Sequence, residues 1–217
     1  MFVKMFFKTN KQTLRRSLEN VLNVAPVEGI ENVPYLTNET IFDLKELPGS
    51  MIIIGGGPIG SEMASALNRL GVKIAQVKMA DIILSREDKE LAGILMKRLK
   101  DNGVNILTNT RATKFSENEK KLTVTIQNKS RETTQIEADS GLISVGRKPN
   151  VNGLDLEKAG VDFTPKGIEV NEKLQTTANN IYACGDVIDS YQFSHIAEYH
   201  SRIAVPNAVL PCRLKER

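Results

Sequence analysis

At 217 residues, with 41% hydrophobic and 25% charged side chains, the chain has the composition of an ordinary globular protein of one or two domains. Its 15 Gly and 8 Pro exclude a collagen-like chain, and no apolar run approaches the roughly 20 residues that a bilayer-spanning helix needs. The net charge of +3 is too small to point to nucleic acid, and the two cysteines, Cys184 and Cys212, make neither a CxxC pair nor part of a zinc site, so no metal is implied and a reducing, cytoplasmic setting is expected.

In chain order, residues 1–24 come first and carry Lys4, Lys8, Lys11, Arg15 and Arg16 against Glu19, which concentrates the positive excess there. This start is expected to be a poorly ordered or partly packed terminus. Organelle targeting by so basic a segment stays open, although it has no secretory pattern. Pro26, Gly29 and Pro34 mark a connecting segment, so residues 1–34 read as a basic segment and linker. Thr37-Asn38-Glu39-Thr40 supplies capping side chains for a short helix or turn over Ile41–Leu44.

Met51-Ile52-Ile53-Ile54 has the β-branched apolar character of a strand buried on both faces of a parallel sheet. Glycines follow at once, and then helical spacing through Ala64, Leu67 and Leu70 is stopped by Gly71. Ile74–Val77 supplies the next strand. Asp88–Asn102 is predicted to be a covering helix with Leu91, Ile94, Leu95 and Leu99 on its apolar stripe, closed by Gly103. Val104–Leu107 is another strand, and Arg111–Ser116, Leu122–Gln127 and Thr133–Ala138 alternate in the manner of an antiparallel three-stranded meander. Gly141–Val145 returns to a buried strand. The fold class is therefore α/β, a Rossmann-like doubly wound parallel sheet with a meander, occupying residues 35–147. Residues 148–217 form a further segment containing the apolar run Ile181–Cys184.

Gly55-Gly56-Gly57-Pro58-Ile59-Gly60 places G-x-G-x-x-G directly after a predicted strand and at the start of a predicted helix. In this context Gly55 allows a tight turn, Gly57 lets a pyrophosphate approach the backbone, and Gly60 lets helix and strand pack closely. The N–H groups and dipole of the helix start at Pro58–Ser61 favour an anion, and Pro58 loses little there. Dinucleotide binding is the expectation; a purely structural glycine turn is the alternative. Where an NAD-binding unit has a carboxylate for the ribose hydroxyls, this chain has Lys78. A cation there favours the 2′-phosphate of NADPH over NADH, against the alternative of a solvated surface lysine.

The glycine series with Glu62, then Gly146-Arg147-Lys148-Pro149-Asn150, then Ile181-Tyr182-Ala183-Cys184-Gly185-Asp186, resembles the pyridine nucleotide-disulfide oxidoreductase family, flavoproteins that include mercuric reductase and dihydrolipoamide dehydrogenase. The resemblance spans roughly Val24 to Pro211. It implies an NAD(P)H domain inserted in an FAD domain and hydride transfer from NAD(P)H to flavin. On that basis Gly185 and Asp186 lie at the flavin's ribityl and phosphate chain. Gly146 and Arg147 lie where the nucleotide domain returns to the flavin domain, and Glu62 lies near the nicotinamide and flavin rings. The chain departs from the family pattern in lacking an N-terminal flavin motif, a CxxxxC redox disulfide and a C-terminal dimerisation domain. It therefore reads as a truncated form, with 148–217 a partial FAD-binding segment, FAD retention open, weak catalysis at most and no catalytic residue assigned. The same departure leaves a catalytically incompetent NAD(P)-binding module as the alternative. His195 and His200 are expected to be structural, Cys184 buried and inert, and Cys212–Arg217 a polar tail.

Overall fold

The computed structural model describes residues 3–9, 12–18, 21–22, 27–151, 153–188 and 193–210. Its elements run β1 (Val3–Thr9), β2 (Gln12–Leu18), β3 (Val21–Leu22), β4 (Ser50–Ile54), α1 (Pro58–Arg69), β5 (Lys73–Val77), α2 (Lys89–Asp101), β6 (Asn105–Leu107), β7 (Thr110–Asn118), β8 (Lys121–Asn128), β9 (Thr133–Ala138), β10 (Ser140–Ile143), β11 (Arg147–Lys148), β12 (Phe163–Thr164), β13 (Gly167–Ile168), β14 (Ile181–Cys184) and α3 (Ser194–Val209). Two compact units result, one within Leu22–Gly146 and one from the described residues on either side of that stretch. No helix among the described residues is long and apolar enough to cross a membrane.

The Leu22–Gly146 unit is built on a parallel sheet of order β10-β4-β5-β6. Because β4 lies between β10 and β5, its apolar run has no polar face. Met51 and Ile53 pack with Ala64 and Leu67 of α1 and Leu99 of α2, whereas Ile52 and Ile54 pack with Phe115, Leu122, Val124 and Ile126 of the meander. Thus the helices cover one face of the sheet and the antiparallel β7-β8-β9 sheet covers the other. A hydroxyl–carboxylate pair fastens the beginnings of adjacent strands. Ser50 Oγ donates to Asp139 Oδ2 at 2.8 Å, and the Asp139 N–H donates to Ser50 Oγ at 3.0 Å. The Ser50 hydroxyl holds the Asp139 carboxyl below the usual carboxylate range.

Both long helices of this unit carry the terminal signals seen in the sequence. Gly71 and Gly103 follow α1 and α2 with φ of +93° each, and the Asp88 carboxylate accepts from the N–H groups of Glu90 and Leu91. The expected stripe of α2 needs correction. Ala92 and Leu99 are buried with Leu95 and Met96 packed beside them, while Leu91 and Ile94 are 67% and 61% exposed. The helix is rotated so that Ala92, Met96 and Leu99 face the sheet at spacings of four and three, which lets it approach closely over a small residue.

In the other unit, β1 pairs antiparallel with both β2 and β14, with Phe7 opposite Leu14 and Ile181. The N-terminal segment thus contributes two strands, which corrects the poorly ordered alternative for this terminus and leaves the partly packed one. Strand β14 is buried at every position and needs ladder partners for its backbone, and the chain start supplies them. Ile181, Ala183 and Val187 pack with Leu156, Leu174, Ile203 and Ala204 in this unit's core. Helix α3, which supplies Ile203 and Ala204, was not anticipated, and Pro206 inside it argues locally against a helix of that length. Cys212 and the tail after it lie outside the described residues.

Candidate nucleotide-binding site

The loop between β4 and α1 sits at the carboxyl end of the parallel sheet, where α/β folds place their ligands. Its glycines have different surroundings. Gly55 has φ +122°, its N–H donates to Val77 O at 2.9 Å, and a Cβ on it would lie 2.3 Å from Ser144 O. At Gly60 a Cβ would lie 2.5 Å from Gly55 O and 2.7 Å from Ser144 Oγ. The protein's own packing therefore requires glycine at both positions. Gly57 differs, because a Cβ there would meet no described atom within 4 Å, and its backbone is extended with φ −82°. It is the N-cap of α1 and offers no capping side chain, with Pro58 at the first helical position. A helix start leaves its first N–H groups without intrahelical partners, so those of Ile59 and Gly60 are available to an anion beside an open Gly57. The donor set and the open side of the loop fit a pyrophosphate.

Gly56 links this loop to the end of β5. Its carbonyl accepts from Leu84 N, and a Cβ on it would lie 3.0 Å from Lys78 Cδ, so the Lys78 stem lies across the loop. The Lys78 backbone is fixed on both sides, donating to Leu107 O at 2.9 Å and accepting from Thr110 N at 3.0 Å. Glu62 is exposed in the second turn of α1. Gly146, with φ +131°, follows β10 and has no described atom within 4 Å of a Cβ position; the Arg147 backbone begins β11.

Three buried polar side chains beneath the loop carried no signal in the sequence. Gln76 is fully buried in β5 and donates through Nε2 to Gly55 O at 3.0 Å, with a longer 3.5 Å approach to Ser61 Oγ. Ser144 Oγ donates to Ile54 O at 3.1 Å. Packing of β5, the end of β10 and the first turn of α1 against one another, rather than any motif, brings these groups to the glycine loop.

Gly185 and Asp186 belong to the other unit. The chain leaves β14 into a short 3-10 turn over Gly185–Val187, with Gly185 at φ +78° and Asp186 1% exposed. The Gly185 N–H donates to Nδ1 of His200, which is buried on α3, at 3.2 Å. His195 is exposed and stacks on Phe193 with centroids 5.4 Å apart. The candidate residues thus form two groups in separate units: Gly55 to Glu62, Lys78 and Gly146 in one, and Gly185 and Asp186 in the other. Among the described residues no cluster of three or more His, Cys, Asp or Glu side chains is arranged to hold a metal.

Comparison with known proteins agrees with this architecture. Dihydrolipoyl dehydrogenase of Bacillus subtilis (strain 168) is 38% identical over 173 residues, which are 80% of this chain and 37% of that protein. Mercuric reductase of Staphylococcus aureus is 35% identical over 187 residues, 86% of this chain and 34% of the relative. Among solved structures, the HOCl-induced flavoprotein disulfide reductase RclA from Escherichia coli superposes with a TM-score of 0.83 at 31% identity, covering 94% of this chain and 48% of that one. The chain therefore spans between about a third and a half of the length of these relatives. By their names these relatives are a dehydrogenase and two reductases, RclA being a flavoprotein. Residues 18–201, including the glycine loop, the meander and the Gly185-Asp186 turn, match the family described as pyridine nucleotide-disulphide oxidoreductase, and the chain belongs to that family.

Proposed function

We propose that this chain is the NAD(P)H-binding part of an FAD-dependent oxidoreductase of the pyridine nucleotide-disulfide type, with residues 35–147 as its nucleotide-binding domain. The observation that carries this reading is the contrast between Gly55 and Gly60, which the protein's own atoms fill, and Gly57, which faces open space at a helix start. When bound, NAD(P)H supplies a hydride that FAD accepts. The chain's residues position the nucleotide. The N–H groups of Ile59 and Gly60 hold the pyrophosphate, Pro58 presets the first helical turn, and Lys78 reads the 2′-phosphate, favouring NADPH. Glu62 borders the nicotinamide, and Gly146 and Arg147 connect the nucleotide domain to residues 148–217. Gly185 and Asp186 face the ribityl and phosphate chain of FAD in residues 148–217, and residues 1–34 are the chain's basic N-terminal segment and linker. The sparse cysteine usage supports the reducing cytoplasm as the setting.

A second reading, a nucleotide-binding module without chemistry, is supported by the glycine loop and Lys78 lying together in one compact unit, Leu22–Gly146. The visible absorption spectrum of the purified protein separates the two, recorded before and after excess FAD is added and unbound flavin removed, then again with NADPH. Retained flavin bleached by NADPH supports the oxidoreductase; a folded protein that binds NADPH but holds no flavin supports the module. A folded protein that binds neither refutes both.

A further inference from the structure

Gln76 is out of place by ordinary packing rules. It is 0% exposed in a central strand, with Ile53 of β4 and Ile106 of β6 as its register partners, and its Oε1 has no hydrogen-bond partner among the described residues. An aliphatic side chain would fill such a site without burying an unpaired acceptor. What the amide does provide is the Nε2 bond to Gly55 O. The Gly55 N–H is already held by Val77 O, so β5 grips Gly55 through both its N–H and its C=O, on either side of its Cα. The Gly55 carbonyl lies against Gly60, at 2.5 Å from where a Cβ would be, and so faces the first turn of α1. Without a donor from below, this carbonyl would be free to turn toward the exposed N–H groups of that turn and compete with an incoming anion.

We infer that Gln76 is a positioning residue for nucleotide binding: its amide holds the Gly55 carbonyl inward, so that the glycine loop is preorganised and the N–H groups at the start of α1 remain directed at the pyrophosphate. This rests on the nucleotide-binding reading above. Preorganisation raises affinity by removing the cost of ordering the loop when ligand arrives. Because the amide brings an unpaired acceptor into the core, its removal has opposite effects on affinity and stability, which a merely structural role would not produce.

The test uses the full chain carrying Gln76→Met, close in shape and apolar, with Gln76→Leu as a second variant. Affinities for NADPH and NADH are measured by calorimetry and thermal unfolding by circular dichroism. We expect unfolding midpoints equal to or above that of the parent, together with a fivefold or greater loss of affinity. The loss should be the same for NADPH and NADH, because both share the pyrophosphate. Unchanged affinity overturns the inference while leaving nucleotide binding intact. So does a loss of affinity accompanied by a lowered midpoint, or failure of both variants to fold, since either makes the amide a stability element. A folded parent chain that binds neither nucleotide fails the underlying reading, and the inference fails with it.

Discussion

Replacing Gly57 and Gly60 in turn separates what the loop does for the ligand from what it does for the fold. In Gly60→Ala the new methyl would stand 2.5 Å from Gly55 O and 2.7 Å from Ser144 Oγ, closer than real Cβ atoms come, so the helix start must move away from the sheet. Overpacking of this kind costs about 1–3 kcal/mol. For a unit of this size that corresponds to a fall in Tm of roughly 3–15 °C. In Gly57→Ala the methyl meets no described atom within 4 Å, and a φ of −82° is accessible to alanine. A weaker N-cap is offset by the reduced entropy of the unfolded chain, leaving a net stability change within about 1 kcal/mol. The methyl instead occupies the surface a pyrophosphate must approach, and a tenfold loss of NADPH affinity, about 1.4 kcal/mol, is the expected minimum. Gly57→Val should abolish binding with folding intact. Calorimetric titration with NADPH and thermal unfolding followed by far-ultraviolet circular dichroism give the two readouts. Gly57→Val that binds NADPH like the parent, or Gly57→Ala that loses as much stability as Gly60→Ala, would refute the reasoning.

Lys78→Glu replaces a phosphate-binding cation with a ribose-binding carboxylate, so the ratio of NADH to NADPH dissociation constants should fall about tenfold or more, in line with charge-assisted hydrogen bonds of roughly 1.5–3 kcal/mol; an unchanged ratio refutes the role of Lys78. Asp139 gives a pH prediction. Its folded pKa is lowered, chiefly by the Ser50 hydroxyl, so the stability it contributes is complete above its unfolded value of about 4 and is lost as pH falls through the lower folded value. Ser50→Ala should therefore lower the urea midpoint at neutral pH, with a deficit that shrinks on acidification below about pH 4. A deficit constant with pH would show that the hydroxyl acts only through the Asp139 N–H.

The chain's local rules were legible in sequence because they act over a few residues. A β-branched run, three spaced glycines and a helix closed by Gly71 specify β4, the loop and α1, since sterics at positive φ and the 3.6-residue repeat are set by neighbouring positions. Asp88 and Gly103 likewise bound α2, and alternation marks the three strands of the meander. The sequence could not say which face of α2 would be buried. Leu91 and Ile94 satisfy a helical stripe as well as Ala92 and Met96 do, and only the approach of the sheet chooses between them. Nor could it pair β1 with β14, because strand partners from opposite ends of the chain are selected by the ladder bonds a buried strand must complete. The same holds for Gln76. In sequence it is one polar residue in an apolar strand; the packing of α1 against β5 places its amide under the Gly55 carbonyl and gives it a part in the loop's geometry.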